Sequence, residues 1–211
     1  MIASSLLLKT GSGLQIDFLL HLLSQGITMS DQHLIEKTIT SEQVFAGNFM
    51  RVYRDSVELP NGKTSTREYI RHSGAVAILA LDDEQNLIME RQYRHPVGRV
   101  IYEIPAGKLD LNEDELSCGR RELVEETGYV AKEWILLGEC LPCIGYSSER
   151  IVYYLARELA YTEQNLDDGE FLDVIKQPLA EVMALAFSGQ IPDSKTLAGL
   201  MLLQGYLSRD A

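Results

Sequence analysis

The stretch "AGKLDLNEDELSCGRRELVEETGYV", Ala106 to Val130, constrains the fold more than any other part of the chain, because it packs carboxylates tightly onto one helical segment. Asn112 is placed to cap the helix, with Glu115 three residues later completing a capping box. Glu113 and Asp114 suit its positive N-terminus, and Gly128 is the natural stop. Leu116, Leu123, Cys118 and Val124 supply the apolar contacts. Residues four apart share a helical face, so Arg121 pairs with Glu125 while Glu122 falls beside Glu126. The first pair is an ordinary salt bridge. The second projects two negative charges to one place without an intervening cation, and such a pair is either dispersed in solvent or bound to metal. Repulsion on an exposed face costs only a few tenths of a kcal/mol, so the spacing alone leaves both readings open.

The whole chain has 211 residues, 45% of them hydrophobic and 24% charged, enough to bury a core as one domain or a domain with a small appendage. Its net charge of -12 argues against a nucleic-acid or anionic-membrane surface, since either needs a basic patch. A phosphate ligand would therefore need a bridging cation. The three cysteines are an odd number and give no disulfide framework, which favours a reducing cytoplasm. Cys140 and Cys143 form a CxxC, but no second pair accompanies them, so zinc or thiol exchange is disfavoured. Residues 1–28 have apolar bursts broken by Lys9, Asp17 and His21. No run approaches the roughly 20 residues a membrane span requires, and the features of a signal peptide are missing. The polar "MSDQHLIEK" makes Met29 the expected initiator and residues 1–28 an extension; the competing reading is an amphipathic appendage.

Elsewhere the pattern is mixed. "NFMRVYRDSVELPNGKTSTREYI" alternates apolar and polar residues about Asn61-Gly62, which predicts a hairpin with that dipeptide in a tight turn. "GAVAILAL" (74–81) and "NLIMERQY" (86–93) predict a second hairpin. "RVIYEI" is a further strand, and "WILLGE", "RIVYYLAR" and "FLDVIK" are three more. "PLAEVMALAFSG" and "SKTLAGLMLLQGYLSR" fit amphipathic helices, the first ended by Gly189 and the second capped by Asp193 or Ser194. These elements predict an α+β fold with a sheet covered by helices.

The charged segment also fits the pattern G-x5-E-x7-R-E-U-x-E-E-x-G-U, U being a bulky aliphatic residue, at Gly107, Glu113, Arg121, Glu122, Leu123, Glu125, Glu126 and Gly128. Tyr129 is the one departure. The segment thus resembles the signature of the Nudix hydrolases. The resemblance implies an α/β/α sandwich with a mixed β-sheet, here preceded by a small N-terminal β-rich region. The expected organisation is a dimerisation region at 29–72 and a Nudix domain at 73–211. The implied activity is hydrolysis of a nucleoside diphosphate linked to another moiety. By position, Glu122 and Glu126 would be Mg²⁺ ligands together with the Ala106 carbonyl, while Glu125 would hold Arg121 and contribute more weakly to the metal site. The chemistry agrees, because Mg²⁺ takes oxygen ligands and is usually held by one or two carboxylates plus substrate phosphates. Mn²⁺ is an alternative ion, and the number of nearby carboxylates favours more than one ion.

Beyond the box, "NGKTSTREYIRHSGAVAILAL", "ERQYRHPVGRVIYEIPAGKLD", "LPCIGYSSERI", "LDDGEFLDV" and "GQIPDSKTLAGL" resemble the ADP-ribose pyrophosphatase subfamily. Pro142 matches its secondary marker, although the usual Ser-Pro-Gly reads Cys143-Ile144-Gly145. The likeness implies hydrolysis of ADP-ribose to AMP and ribose 5-phosphate. Arg67 and Arg94 would contact phosphates or the terminal ribose, and Glu103 would lie beside the metal. The general base is expected in the later acidic loop, with Glu170 preferred and Asp168 second; Glu149 would support metal or substrate. His72 and His95 are expected to be structural or loop residues. A homodimer is implied, in which the N-terminal region crosses over to complete the adenine site. Two alternatives remain: another nucleoside diphosphate sugar such as GDP-mannose as substrate, and a catalytically silent ADP-ribose sensor.

Overall fold

A computed structural model describes residues 31–209, and the expectations for residues 1–28 lie outside that range. Three strands, β1 (Lys37–Ala46), β2 (Arg51–Glu58) and β3 (Thr64–Ile70), form an antiparallel sheet in the order β1-β2-β3. The β2–β3 hairpin is as anticipated, but its turn is built differently. The Gly62 N–H donates to the Leu59 carbonyl at 2.9 Å, so Pro60 and Asn61 are the central residues. Gly62 follows with φ of 78°. Proline favours the second position of such a turn, and the glycine absorbs the left-handed step after it.

The rest of the fold is built on two further sheets. In the first, β4 (Ala75–Ala80), β7 (Ala106–Lys108), β8 (Tyr129–Cys140) and β9 (Ile151–Tyr161) take the order β7-β4-β9-β8, with β4 and β9 parallel. In the second, β5 (Asn86–Arg94), β6 (Arg99–Glu103) and β10 (Leu172–Pro178) take the order β10-β5-β6. The expected hairpin of β4 with β5 is therefore corrected: beyond a single bridge between Leu81 and Leu87, the two strands belong to different sheets. Strand β4 is buried at all six positions, and that demands partners on both edges and cover on both faces.

That cover comes from helices on opposite sides. Ala75, Ala77 and Leu79 point to a core shared with α2 (Leu179–Phe187) and α3 (Ser194–Leu207). Val76, Ile78 and Ala80 point the other way, to Cys118 and Leu123 of α1 (Glu115–Thr127). Strand periodicity thus produces the helix–sheet–helix layering and the mixed sheet. Among the described residues, no helix is long and apolar enough to cross a membrane.

Helix α1 starts two residues later than its sequence indicates. Asp114, not Asn112, is the cap, accepting from the Ser117 N–H at 3.0 Å, while Asn112 lies in the preceding loop with φ of 65°. Glu115 makes no capping box. It reaches Arg150 at 2.5 Å, and Arg150 also holds Glu139 at 2.8 Å, which ties the start of α1 to β8 and β9. At the far end, Gly128 takes the left-handed conformation and its N–H donates to Val124 O at 2.9 Å. The Asn165 N–H and the Gln164 side chain donate to the carbonyls of Glu125 and Glu126 at 3.1 and 2.5 Å. Satisfying these end carbonyls fixes the turn that carries the carboxylates.

Candidate active site

Two adjoining cavities of about 680 and 1070 Å³ meet at the Glu122 end of α1. Glu122, Glu126, Ala106, Arg94, Glu149, Asp168 and Glu170 all line the smaller one. Arg121 and Glu125 line the larger one, together with Glu122. The structure therefore brings together on one concave surface residues drawn from β5, β7, α1 and two loops.

The outer charges of α1 are organised by Arg121. Its guanidinium donates to Glu113 at 2.9 and 2.8 Å, to Glu122 at 2.8 Å and to Glu125 at 2.9 Å. The Arg121–Glu125 pair is thus present, but the expectation that Glu122 lacks a protein cation is corrected. The Arg121 hydrogen bond holds the Glu113 carboxyl down at about 2. One arginine against three carboxylates still leaves two negative charges in excess. Residue 107 must be glycine for Glu122 to sit here, because a Cβ at Gly107 would lie 1.7 Å from the Glu122 carboxyl carbon.

The inner charges have no such partner. Glu126 is only 5% exposed, and the hydrogen bond its carboxylate receives comes from the Ala106 N–H at 3.0 Å. Burial pushes its pKa strongly up, and the charge of Glu90 adds to the shift more than that of any other neighbour. Burial likewise raises Glu122, against the pull of Arg121.

Across the cavity stands a cationic ledge. Glu103, with its side chain 3% exposed, receives both guanidinium bonds of Arg94 at 2.7 and 2.9 Å and the Lys195 ammonium at 3.0 Å. Lys195 pairs as well with Asp193 at 3.1 Å, so the two cations of the ledge are held by two carboxylates, in a network at the start of α3. Lys195 also donates to Ile104 O at 3.0 Å. The Thr196 hydroxyl accepts from the Ile104 N–H at 2.9 Å and donates to Asp193 at 2.7 Å. Asp193 is thereby confirmed as the α3 cap. Glu103 lies beneath Arg94 as its anchor.

Of the loop acids, Glu170 accepts from the Gln92 side chain at 3.1 Å, and Glu149 lies 3.9 Å from His72. The His72 Nδ1 accepts from the Gly74 N–H at 3.0 Å, so this histidine shapes the cavity wall through the backbone. Arg67 does not reach either cavity. It lies on β3, bonded to Glu36, Ser65 and Thr66 O. His95 is on a short turn beside Tyr93. Cys140 and Cys143 are free thiols next to the hydroxyls of Tyr153 and Tyr146 at 3.1 and 3.2 Å.

Three residues of the site escape a reading by motif: Glu90, Gln92 and Lys195. The signal for the first two is the period of β5, since alternate residues counted back from Arg94 share its face. Lys195 sits in "DSKTL", which reads only as a helix start.

The donor set suits a hard divalent cation. It is all oxygen, carries surplus negative charge, and includes Oε1 of Glu90, which is buried without a hydrogen-bond partner among the described residues. Among the described residues no three acidic, histidine or cysteine side chains already form a cage. Mg²⁺ does not need one, because it retains waters and takes ligands from a bound phosphate.

Comparison with known proteins agrees with this geometry. Residues 71–199 match the NUDIX domain, and residues 36–70 match the nucleoside diphosphate sugar hydrolase N-terminal domain. An ADP-ribose pyrophosphatase of Bacillus subtilis is 43% identical over 173 residues, covering 81% of this chain and 94% of the relative. A methanol dehydrogenase activator of Bacillus methanolicus is also 43% identical over 173 residues, covering 80% and 92%. Among solved structures, an ADP compounds hydrolase superposes with a TM-score of 0.75 at 22% identity, covering 84% of this chain and 97% of that one. At that identity the likeness speaks for the fold.

Proposed function

The chain belongs to the Nudix hydrolase family, and from that premise we propose that it hydrolyses the pyrophosphate bond of ADP-ribose, giving AMP and ribose 5-phosphate. The observation that carries this reading is the placement of the Glu122–Glu126 pair and the Arg94–Lys195 ledge on the walls of one cavity. A diphosphate fits between a carboxylate wall and a cationic wall when a divalent ion bridges it to the carboxylates.

Glu122 and Glu126 would hold Mg²⁺, or Mn²⁺ in its place, with the Ala106 backbone beside them, and more than one ion is in keeping with the surplus of carboxylates. Bound there, the ion supplies charge neutralisation at the phosphate oxygens and lowers the pKa of the attacking water. Arg94 presents a planar fork toward the other side of the diphosphate, held at its angle by Glu103. Glu170, steadied by Gln92, accepts the proton of the water as its oxygen bonds to phosphorus and the bridging P–O bond breaks. Asp168 is the second choice for that role, and Glu149 supports the site from the opposite loop. Arg121 orients Glu122 and Glu125.

We further propose a homodimer. All ten residues of β1 are exposed, and Ile39, Val44 and Phe45 present apolar surface there. A crossover of this sheet would carry Arg67 to the neighbouring subunit's cavity. A cytoplasmic setting accords with the free thiols.

The test is hydrolysis of ADP-ribose beside GDP-mannose and NADH, with and without Mg²⁺, measuring AMP and the sugar phosphate. Mg²⁺-dependent release of AMP and ribose 5-phosphate from ADP-ribose in preference to the others supports the reading. A preference for GDP-mannose changes the substrate within the same chemistry. Tight ADP-ribose binding without turnover makes the chain a sensor.

A further inference from the structure

Strand β5 carries one more carboxylate that the Nudix box does not include. Ile88, Glu90, Gln92 and Arg94 occupy alternate positions and so share a face. Ile88 packs in the core beneath α1 with Cys118 and Leu123, while Gln92 and Arg94 line the cavity. Glu90 therefore sits where core gives way to cavity. It is 2% exposed, and among the described residues its Oε1 has no hydrogen-bond partner.

Among the described residues no cation bonds that carboxylate. Its register partner on β6 is another carboxylate, Glu103. Lys195 and Arg94 are the cations acting on it, and both are already bonded to Glu103. Glu126 and Glu170 add negative charge nearby. Were packing the only demand at this position, an apolar side chain of similar size would meet it at lower cost.

We propose that Glu90 is a further carboxylate of the metal site, its free Oε1 reaching a divalent ion shared with Glu126 either directly or through a metal-bound water. The proposal rests on the reading that Glu122 and Glu126 hold Mg²⁺. It assigns a residue of β5 to a site otherwise built from β7 and α1, and it makes the floor of the cavity part of the ion's environment.

The test is Mn²⁺ binding to the full chain without substrate, followed by electron paramagnetic resonance and calorimetry, for wild type, Glu90→Gln and Glu126→Gln. Glu90→Gln is expected to lose one equivalent of bound Mn²⁺ or to bind it about tenfold or more weakly, with Glu90→Asp regaining part of the loss. Metal-free melting of Glu90→Gln should match or exceed wild type, since a buried charge has been removed; Glu90→Leu takes its place should the glutamine variant fail to fold. Wild-type Mn²⁺ binding in the Glu90 variant beside weakened binding in Glu126→Gln overturns the role of Glu90 alone. Wild-type binding in both variants removes the metal reading itself.

Discussion

The two sides of helix α1 treat negative charge in opposite ways. Toward the outer cavity, Glu113, Glu122 and Glu125 gather on Arg121 at 2.8–2.9 Å, and the Glu113 carboxyl is held well below its ordinary range. Toward the sheet, Glu126 and Glu90 are buried, no cation among the described residues bonds either, and burial drives both upward. Arg121 gathers the outer group and holds the helix, while two negative charges stay in excess. The inner group waits for a positive charge from outside, and Glu122, which lines both cavities, joins the scaffold to the chemistry.

The comparison breaks most easily at Glu126. Glu126→Gln is expected to cut kcat by about 10²–10⁴-fold, the several kcal/mol that a metal's charge stabilisation supplies. Circular dichroism should report an unchanged fold, because the amide keeps the Ala106 contact. Next comes Glu170→Gln, with a loss of about 10²–10⁴-fold in kcat, while Mn²⁺ affinity stays close to wild type. Should Asp168→Asn produce the larger loss, the base is reassigned.

On the outer side the effects fall on stability. Arg121→Ala leaves three carboxylates facing one another and should lower unfolding stability by about 1–3 kcal/mol, read by denaturant titration. The smallest effect is on acid sensitivity. The folded pKa of Glu113 is about 2, below an unfolded value of about 4.3. Its contribution is therefore full above the unfolded value and disappears as pH falls toward the folded one. Glu113→Gln should flatten the dependence of melting temperature on pH between about 5 and 2; an unchanged slope would place the acid dependence elsewhere.

What the sequence discloses of this arrangement follows the range of the interactions. The helix, its glycine stop and the Arg121–Glu125 pair depend on residues three or four apart, and they are legible. So is the alternation of β4, although alternation does not say which strand lies alongside: adjacency in the chain predicted β5, whereas burial of β4 on both edges required β7 and β9. The cap is Asp114 and not Asn112 because Asn112 takes a left-handed turn in the loop, not the extended conformation of a cap, while Asp114 accepts from Ser117. Glu90 and Lys195 stayed hidden because their importance arises only where β5, β6 and the start of α3 meet. Likeness gives Arg67 a substrate role, but within its own chain Arg67, on β3, bonds Glu36, Ser65 and Thr66, away from both cavities.

The position of Mn²⁺ in crystals grown with a non-hydrolysable ADP-ribose analogue tests the central claim most directly. Anomalous scattering should place an ion bonded to carboxylate oxygens of Glu122 and Glu126 and to the diphosphate, with Arg94 on the opposite side. An ion bound elsewhere, with the diphosphate in another cavity and Glu126 still buried and unbonded to metal, would contradict it.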